Sequence, residues 1–200
     1  MIEVILSKVA LDEMIISATE VYKKEVYGLL FGRRENFGRK VIIHHAISSQ
    51  KANRKYKEVI ANDKRIAELA RELALKVVGD YHSHTDFKGP ALNELSEQDK
   101  KDLIEKIEKY GNYFVSFLIS IRKSKAKKAL YFKDNKIEQI IDIPYESDIR
   151  RVRLTIRGYY YNPLQKKEDK VLINPDRELL DFIALYKKEM QKIQVRKMHG

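Results

Sequence analysis

The stretch "YHSHTDFKGPALNELSEQD", residues 81–99, sets His82 and His84 one residue apart. On a strand, residues i and i+2 leave the same face, so both imidazoles can converge on one point while Ser83 turns away. Neutral imidazole is a good ligand for a divalent metal such as zinc at neutral pH. Eleven residues then intervene before Ser96, and Asp99 follows three positions later. Ser-x-x-acid ahead of an apolar helical run is a capping box, and it also offers a carboxylate from the first turn of a helix. Two histidines and one carboxylate leave a fourth position for water, the make-up of a catalytic zinc site rather than a structural one. Asp86 and Glu94, inside the intervening loop, compete with Asp99 for the third position. A hydrolytic site also needs a base that is not a ligand. Glu25, just ahead of "VYGLLFG", is either that base or an exposed carboxylate at a helix end.

These residues need elements to hold them. "SKVALDEMIISATEVYKKE" carries Leu11, Met14, Ile15, Ala18 and Tyr22 at helical spacing, with Ser7 opening the pattern. "VYGLLFGRR" and "RKVIIHHAISS" read as two strands joined by a turn at 35–38. "NDKRIAELARELAL" predicts a second helix capped by Asn62. "KVVGDYHSH" is a strand that ends on the histidines. "SEQDKKDLIEKIEKYG" predicts a third helix with an inward stripe of Leu103, Ile104, Ile107 and Tyr110, closed by Gly111. "YFVSFLISI" is apolar throughout, as a central strand should be. "KALYFKDNKIEQIIDI" gives two more strands around an Asp-Asn turn. The order is α-β-β-α-β-α-β-β-β, an α/β protein with a mixed central sheet flanked by helices. From Pro144 the texture changes to "RRVRLTIRGYYYN", a short strand "VLIN" and a long amphipathic helix with Leu179, Leu180, Ile183 and Tyr186 in register. The expected division is a domain over 1–143 and a basic strand-helix extension over 144–200.

With 44% hydrophobic residues, twelve Tyr and seven Phe, the chain can bury a real core. No cysteine is present, which excludes disulfides, thiolate metal sites and a cysteine nucleophile. No apolar window is long enough for a membrane span or reads as a signal peptide, so a cytoplasmic location is expected. The net charge is +11, and residues 150–200 hold 13 Lys/Arg against 6 Asp/Glu. Such an end suits an acidic partner or a solvated cationic surface equally.

Glu25 in "EVYGLLFG", the His82-Ser83-His84 triplet and Ser96-x-x-Asp99 together resemble the JAMM (MPN-plus) zinc metallopeptidase family, with its archaeal-like deubiquitinase and isopeptidase relatives. The resemblance spans about residues 1–143 and implies the JAMM/MPN fold, which resembles cytidine deaminase. It implies His82, His84 and Asp99 as ligands of a Zn2+ cofactor, Glu25 as general base toward the metal-activated water, and Ser96 as a hydroxyl that steadies the developing oxyanion or the water. It also implies a ubiquitin-like protein or its conjugates as partner, cleaved after the C-terminus. Thr85 stands where the family has proline, and the eleven-residue loop is longer than the family pattern. Both departures bear on the third ligand and on the substrate groove. The rivals are a non-catalytic MPN scaffold, whose members lose the ligands kept here, and nucleic-acid binding through "RRVRLTIRGYYYN". Charge protection of a sheet edge is the preferred account of that stretch. Self-association stays open, and His44, His45 and His199 read as strand or tail residues.

Overall fold

The structure, a computed structural model, describes residues 1–22, 24–49, 53–54, 59–60, 68, 71–72, 75–86, 91–133, 135–145 and 147–198. The helix expected over 62–75, the stretch "ANRKYKEV", Asp134 of the Asp-Asn turn and His199 fall wholly or largely outside these residues.

Ser7 caps the first helix, α1 (Lys8–Glu20), its hydroxyl accepting the Ala10 N–H at 3.0 Å. Leu11, Met14, Ile15 and Ala18 are buried along its inner face, and Tyr22 just beyond its end is buried with them. The helix stops at Glu20 rather than running on to Glu25. Before it lies a strand that the sequence pattern did not suggest, β1 (Glu3–Leu6), paired in parallel with β3 (Lys40–Ser48). β2 (Tyr27–Glu35) and β3 form the expected hairpin. Its turn runs through Asn36, Phe37 and Gly38 at φ 49, 54 and 88. Gly28 on β2 is required by space: a Cβ there would come within 2.3 Å of the Tyr81 ring. A short pair follows, β4 (Asn53–Arg54) with β5 (Val59–Ile60).

β6 (Lys76–Thr85) pairs antiparallel with β2 and parallel with β7 (Val115–Lys123). A parallel pair demands a crossover, and α2 (Glu97–Tyr110) makes it. Gly111, at φ 95, ends that helix with its N–H on Ile107 O, as its position suggested. Leu103 is buried beneath α2, with Ile107 and Tyr110 packed on the same cluster, whereas Ile104 is left exposed.

The remaining strands are β8 (Ala129–Lys133), β9 (Lys136–Tyr145), β10 (Asp148–Asn162), β11 (Lys167–Lys170) and β12 (Leu172–Pro175), followed by α3 (Arg177–Met198). Along the sheet the order is β12-β1-β3-β2-β6-β7-β10-β9-β8, with β11 added to β10. The path curls until β12 lies against β8 and β9. α1 sits inside the curl, in one large apolar cluster with side chains from strands all along the path. α2 covers part of the opposite face. The division expected at 143–144 therefore does not interrupt the sheet. β9 runs through it, β10 lies between β7 and β9, and β12 edges β1. Texture misled because β10 alternates arginines on one face with Leu154 and Ile156 on the other. It is an interior strand, not an edge guarded by charge. α3 packs Leu179 and Ile183 into the main core beside Phe182 and Tyr186, but Leu180 is exposed.

No described helix is long and apolar enough to cross a membrane.

Candidate metal centre

β6 alternates as a strand must. Tyr81 faces α1, its hydroxyl 2.9 Å from Ser17 Oγ, and Ser83 accepts the Val26 N–H at 2.9 Å. His82 and His84 consequently turn to the α2 side, with ring centroids 5.0 Å apart. α2 begins directly over them. Ser96 Oγ accepts the Asp99 N–H at 3.2 Å, and Asp99 Oδ2 accepts the Ser96 N–H at 2.7 Å, so the capping box is real. The same carboxylate faces the histidines: Oδ1 is 3.3 Å from His82 Nε2, and Oδ2 is 3.6 Å from His84 Nε2. Cap and candidate ligand are one residue.

The cluster is only 10–17% exposed at its side chains. His82 Nε2 is buried without hydrogen-bond geometry to any partner among the described residues, and so is His84 Nδ1. A buried polar nitrogen left this way is costly unless something else fills its valence. Ligands 2.0–2.1 Å from a tetrahedral zinc stand ~3.3–3.4 Å from one another. The His82 separation matches that spacing and the His84 separation is slightly wider, and one donor atom from each of the three residues lies within 4.8 Å of the others. The residues present fit the ion.

Electrostatics agree with a cation site. Burial would lift the Asp99 carboxyl, but His82 and the Ser96 contacts hold it well below the usual carboxylate range. Burial opposes the charged form of His82, while Asp99 and then Asp80 outweigh it and raise its pKa. His84 is lowered to about 4 by burial and by its neighbour His82.

The competing carboxylates are committed elsewhere. Asp86 accepts the Tyr22 O–H at 2.6 Å on Oδ1 and the Lys123 N–H at 2.7 Å on Oδ2. Glu94 accepts the Tyr159 O–H at 2.7 Å and pairs with Lys170 at 3.2 Å. The segment around Glu94 is held down from β7 and β10. Ser120 donates to Leu92 O, Arg122 to Ala91 O and Arg157 to Asn93 O.

Glu25 lies in the loop ahead of β2 and is half-buried. Ser83 N–H donates to Val26 O at 3.0 Å, beyond the last β2–β6 pair, Tyr27 with His82. His44 is exposed and His45 half-buried on β3, facing Glu13, away from the cluster.

Sequence reasoning missed the ion pair below the site, Asp80 with Lys106. The available signal was positional: Asp80 shares the face of His82, and Lys106 lies two turns beyond Asp99.

An α/β protein with two strand histidines and a helix-start carboxylate gathered at one point defines a narrow class. Residues 7–131 match the prokaryotic homologs of the JAB domain (Prok-JAB), and the chain belongs to that family. No curated protein matches it by sequence. Among solved structures, the solution structure of protein DSY2949 from Desulfitobacterium hafniense is similar in fold, with TM-score 0.52 at 16% identity, covering 88% of this chain and 94% of that one.

Proposed function

We propose that this chain is a zinc-dependent hydrolase of the JAMM type, cleaving a peptide or isopeptide bond after the C-terminus of a ubiquitin-like protein. The observation that carries this is the gathering of His82, His84 and Asp99 at one buried point, with His82 Nε2 lacking hydrogen-bond geometry to any partner among the described residues. When bound, zinc supplies Lewis acidity and brings a coordinated water toward a pKa of ~7. His82 and His84 hold the ion from a rigid central strand, and Asp99 completes the set from a capped helix start. An extension of the β2–β6 register past Tyr27–His82 and Val26–Ser83 would bring Glu25 opposite His84, which supports its assignment as general base. Ser96 accepts the Asp99 N–H, which fixes its oxygen at the edge of the cluster, a position from which its hydroxyl can donate toward a developing oxyanion. The ubiquitin-like substrate rests on the resemblance of these motifs to JAMM peptidases.

The test pairs metal analysis with Glu25→Gln, using a ubiquitin-like protein carrying a short C-terminal fusion as substrate. The wild type should hold about one zinc per chain and cleave. The variant should keep the zinc and lose turnover by ~100-fold or more, since an amide cannot accept the proton. Loss of zinc with activity would make Glu25 a ligand. A zinc-loaded wild type that cleaves no ubiquitin-like fusion would leave a metal-bearing scaffold in place of a peptidase.

A further inference from the structure

Asp80 sits two residues before His82 on the same face of β6, and it is 1% exposed. A carboxylate taken this far from water needs a cation, and Lys106 of α2 supplies it through Nζ to Oδ2. The other oxygen, Oδ1, has no hydrogen-bond partner among the described residues. The same ammonium rests 4.7 Å from the centroid of the Tyr27 ring. Tyr27 is the residue on β2 that pairs with His82. α2 therefore meets β6 at two polar points, Asp99 on the histidines and Lys106 on Asp80. Between them Leu103 packs in an apolar cluster with Leu118 and Phe114.

Apolar packing alone is non-directional and fixes the rotation of a helix only loosely. Metal ligands demand placement within ~0.5 Å and 10–20°. Turning α2 by a single residue, about 100°, would carry Lys106 away from Asp80 and strand a buried charge. A matched hydrophobic pair could supply equal stability, so the contribution of an ion pair here is orientation.

We propose that Asp80 and Lys106 are positioning residues for the metal centre, setting the rotation and register of α2 on β6 so that the Asp99 carboxylate stands between His82 and His84. This rests on the metal reading above.

The test uses the full chain and two probes, Zn2+ affinity by chelator competition and the visible absorption of the Co2+-loaded protein. Lys106→Met removes the charge while keeping the length of the side chain. It should weaken Zn2+ binding about tenfold or more, as loss of an outer-shell partner does, and shift the Co2+ bands. Lys106→Arg should restore both. In an Asp99→Ala background, where no carboxylate remains to be placed, Lys106→Met should leave the weaker two-histidine affinity unchanged. Wild-type affinity and spectrum in Lys106→Met, or an equal loss in the Asp99→Ala background, would overturn the proposal and make the pair a structural tie only. If Lys106→Met does not fold, Lys106→Gln decides by the same two readouts. A wild type that binds neither ion would overturn the metal reading and this inference with it. A wild type that binds while the variant is unchanged would overturn this inference alone.

Discussion

β6 and β10 flank β7 on opposite sides and share one pattern. Each sends apolar side chains toward the core around α1 and ionisable ones toward the α2 face. They differ in where that polar face finds its partners. On β10, Arg157 reaches Asn93 O at 3.1 Å and Tyr159 reaches Glu94 at 2.7 Å, so the groups brace a loop. On β6, Asp80 is braced in the same way, yet His82 Nε2 and His84 Nδ1 stay buried with no hydrogen bond among the described residues. Alternation of polar and apolar residues is common to a scaffold strand and a site strand. Arg153 Nε on β10 is likewise buried without a hydrogen bond, so what separates the strands is convergence: only on β6 do two imidazoles gather with a carboxylate, Asp99, among the described residues.

The comparison can be broken most severely by cutting the chain after Asp142. If β10 is scaffold, its loss strips β7 and β9 of a shared neighbour and should abolish cooperative thermal unfolding, read by circular dichroism. A truncated protein that still melts cooperatively and binds zinc would show β10 to be dispensable. Next in size, His82→Ala with His84→Ala should reduce bound zinc from about one per chain to near zero while the fold persists, since neither ring is a main-core residue. Metal analysis beside a melting curve separates these outcomes, and zinc at the wild-type level would place the site elsewhere. A smaller effect is expected for Arg157→Met. Asn93 O keeps the Tyr159 hydroxyl at 3.2 Å, so loss of the Arg157 donor should cost about 0.5–1.5 kcal/mol and speed amide exchange in 91–95, with zinc affinity changed less than at β6. An equal or larger loss of zinc would merge the two strands into one functional unit.

The mildest perturbation is one of pH, which changes no residue. His82 titrates above its ordinary value of 6.5 and His84 near 4. Protons therefore compete with metal first at His82. Apparent affinity should rise about tenfold per pH unit up to the raised His82 value and flatten above it, with a steeper slope below about 4. A flat profile from pH 5 to 7 would remove His82 from the ligand set.

Much of the site was legible in the chain because its signals are local. His82 and His84 need only strand alternation, and Ser96 with Asp99 needs only the start of a helix. The stripes of α1 and α2 were legible for the same reason, apart from Ile104. What escaped depends on partners far away in sequence. Nothing in "EVIL" announces a strand until β3 and β12 are beside it. "RRVRLTIRGYYYN" looks like a separate piece until β7 and β9 enclose it. The commitment of Asp86 to Tyr22 and of Glu94 to Tyr159 could not be read locally, so which carboxylate joins the histidines stayed open until distances were known. Asp80 and Lys106 each look like surface charges until α2 is laid on β6.

The curl of the sheet has a kinetic consequence. Glu3 pairs with both Lys40 and Leu172, so one side of β1 is satisfied early in synthesis and the other only after most of the chain has emerged. At 5–20 residues per second the open edge persists for roughly ten seconds. During that interval it is a template for pairing with a neighbouring chain. Closure of this seam is the longest-range strand pairing among the described residues, and long-range pairing is slow. Refolding at rising protein concentration should therefore divert material into aggregates before β12 arrives. A peptide of residues 171–176 supplied in excess should reduce that loss, and indifference to the peptide would place the slow step elsewhere.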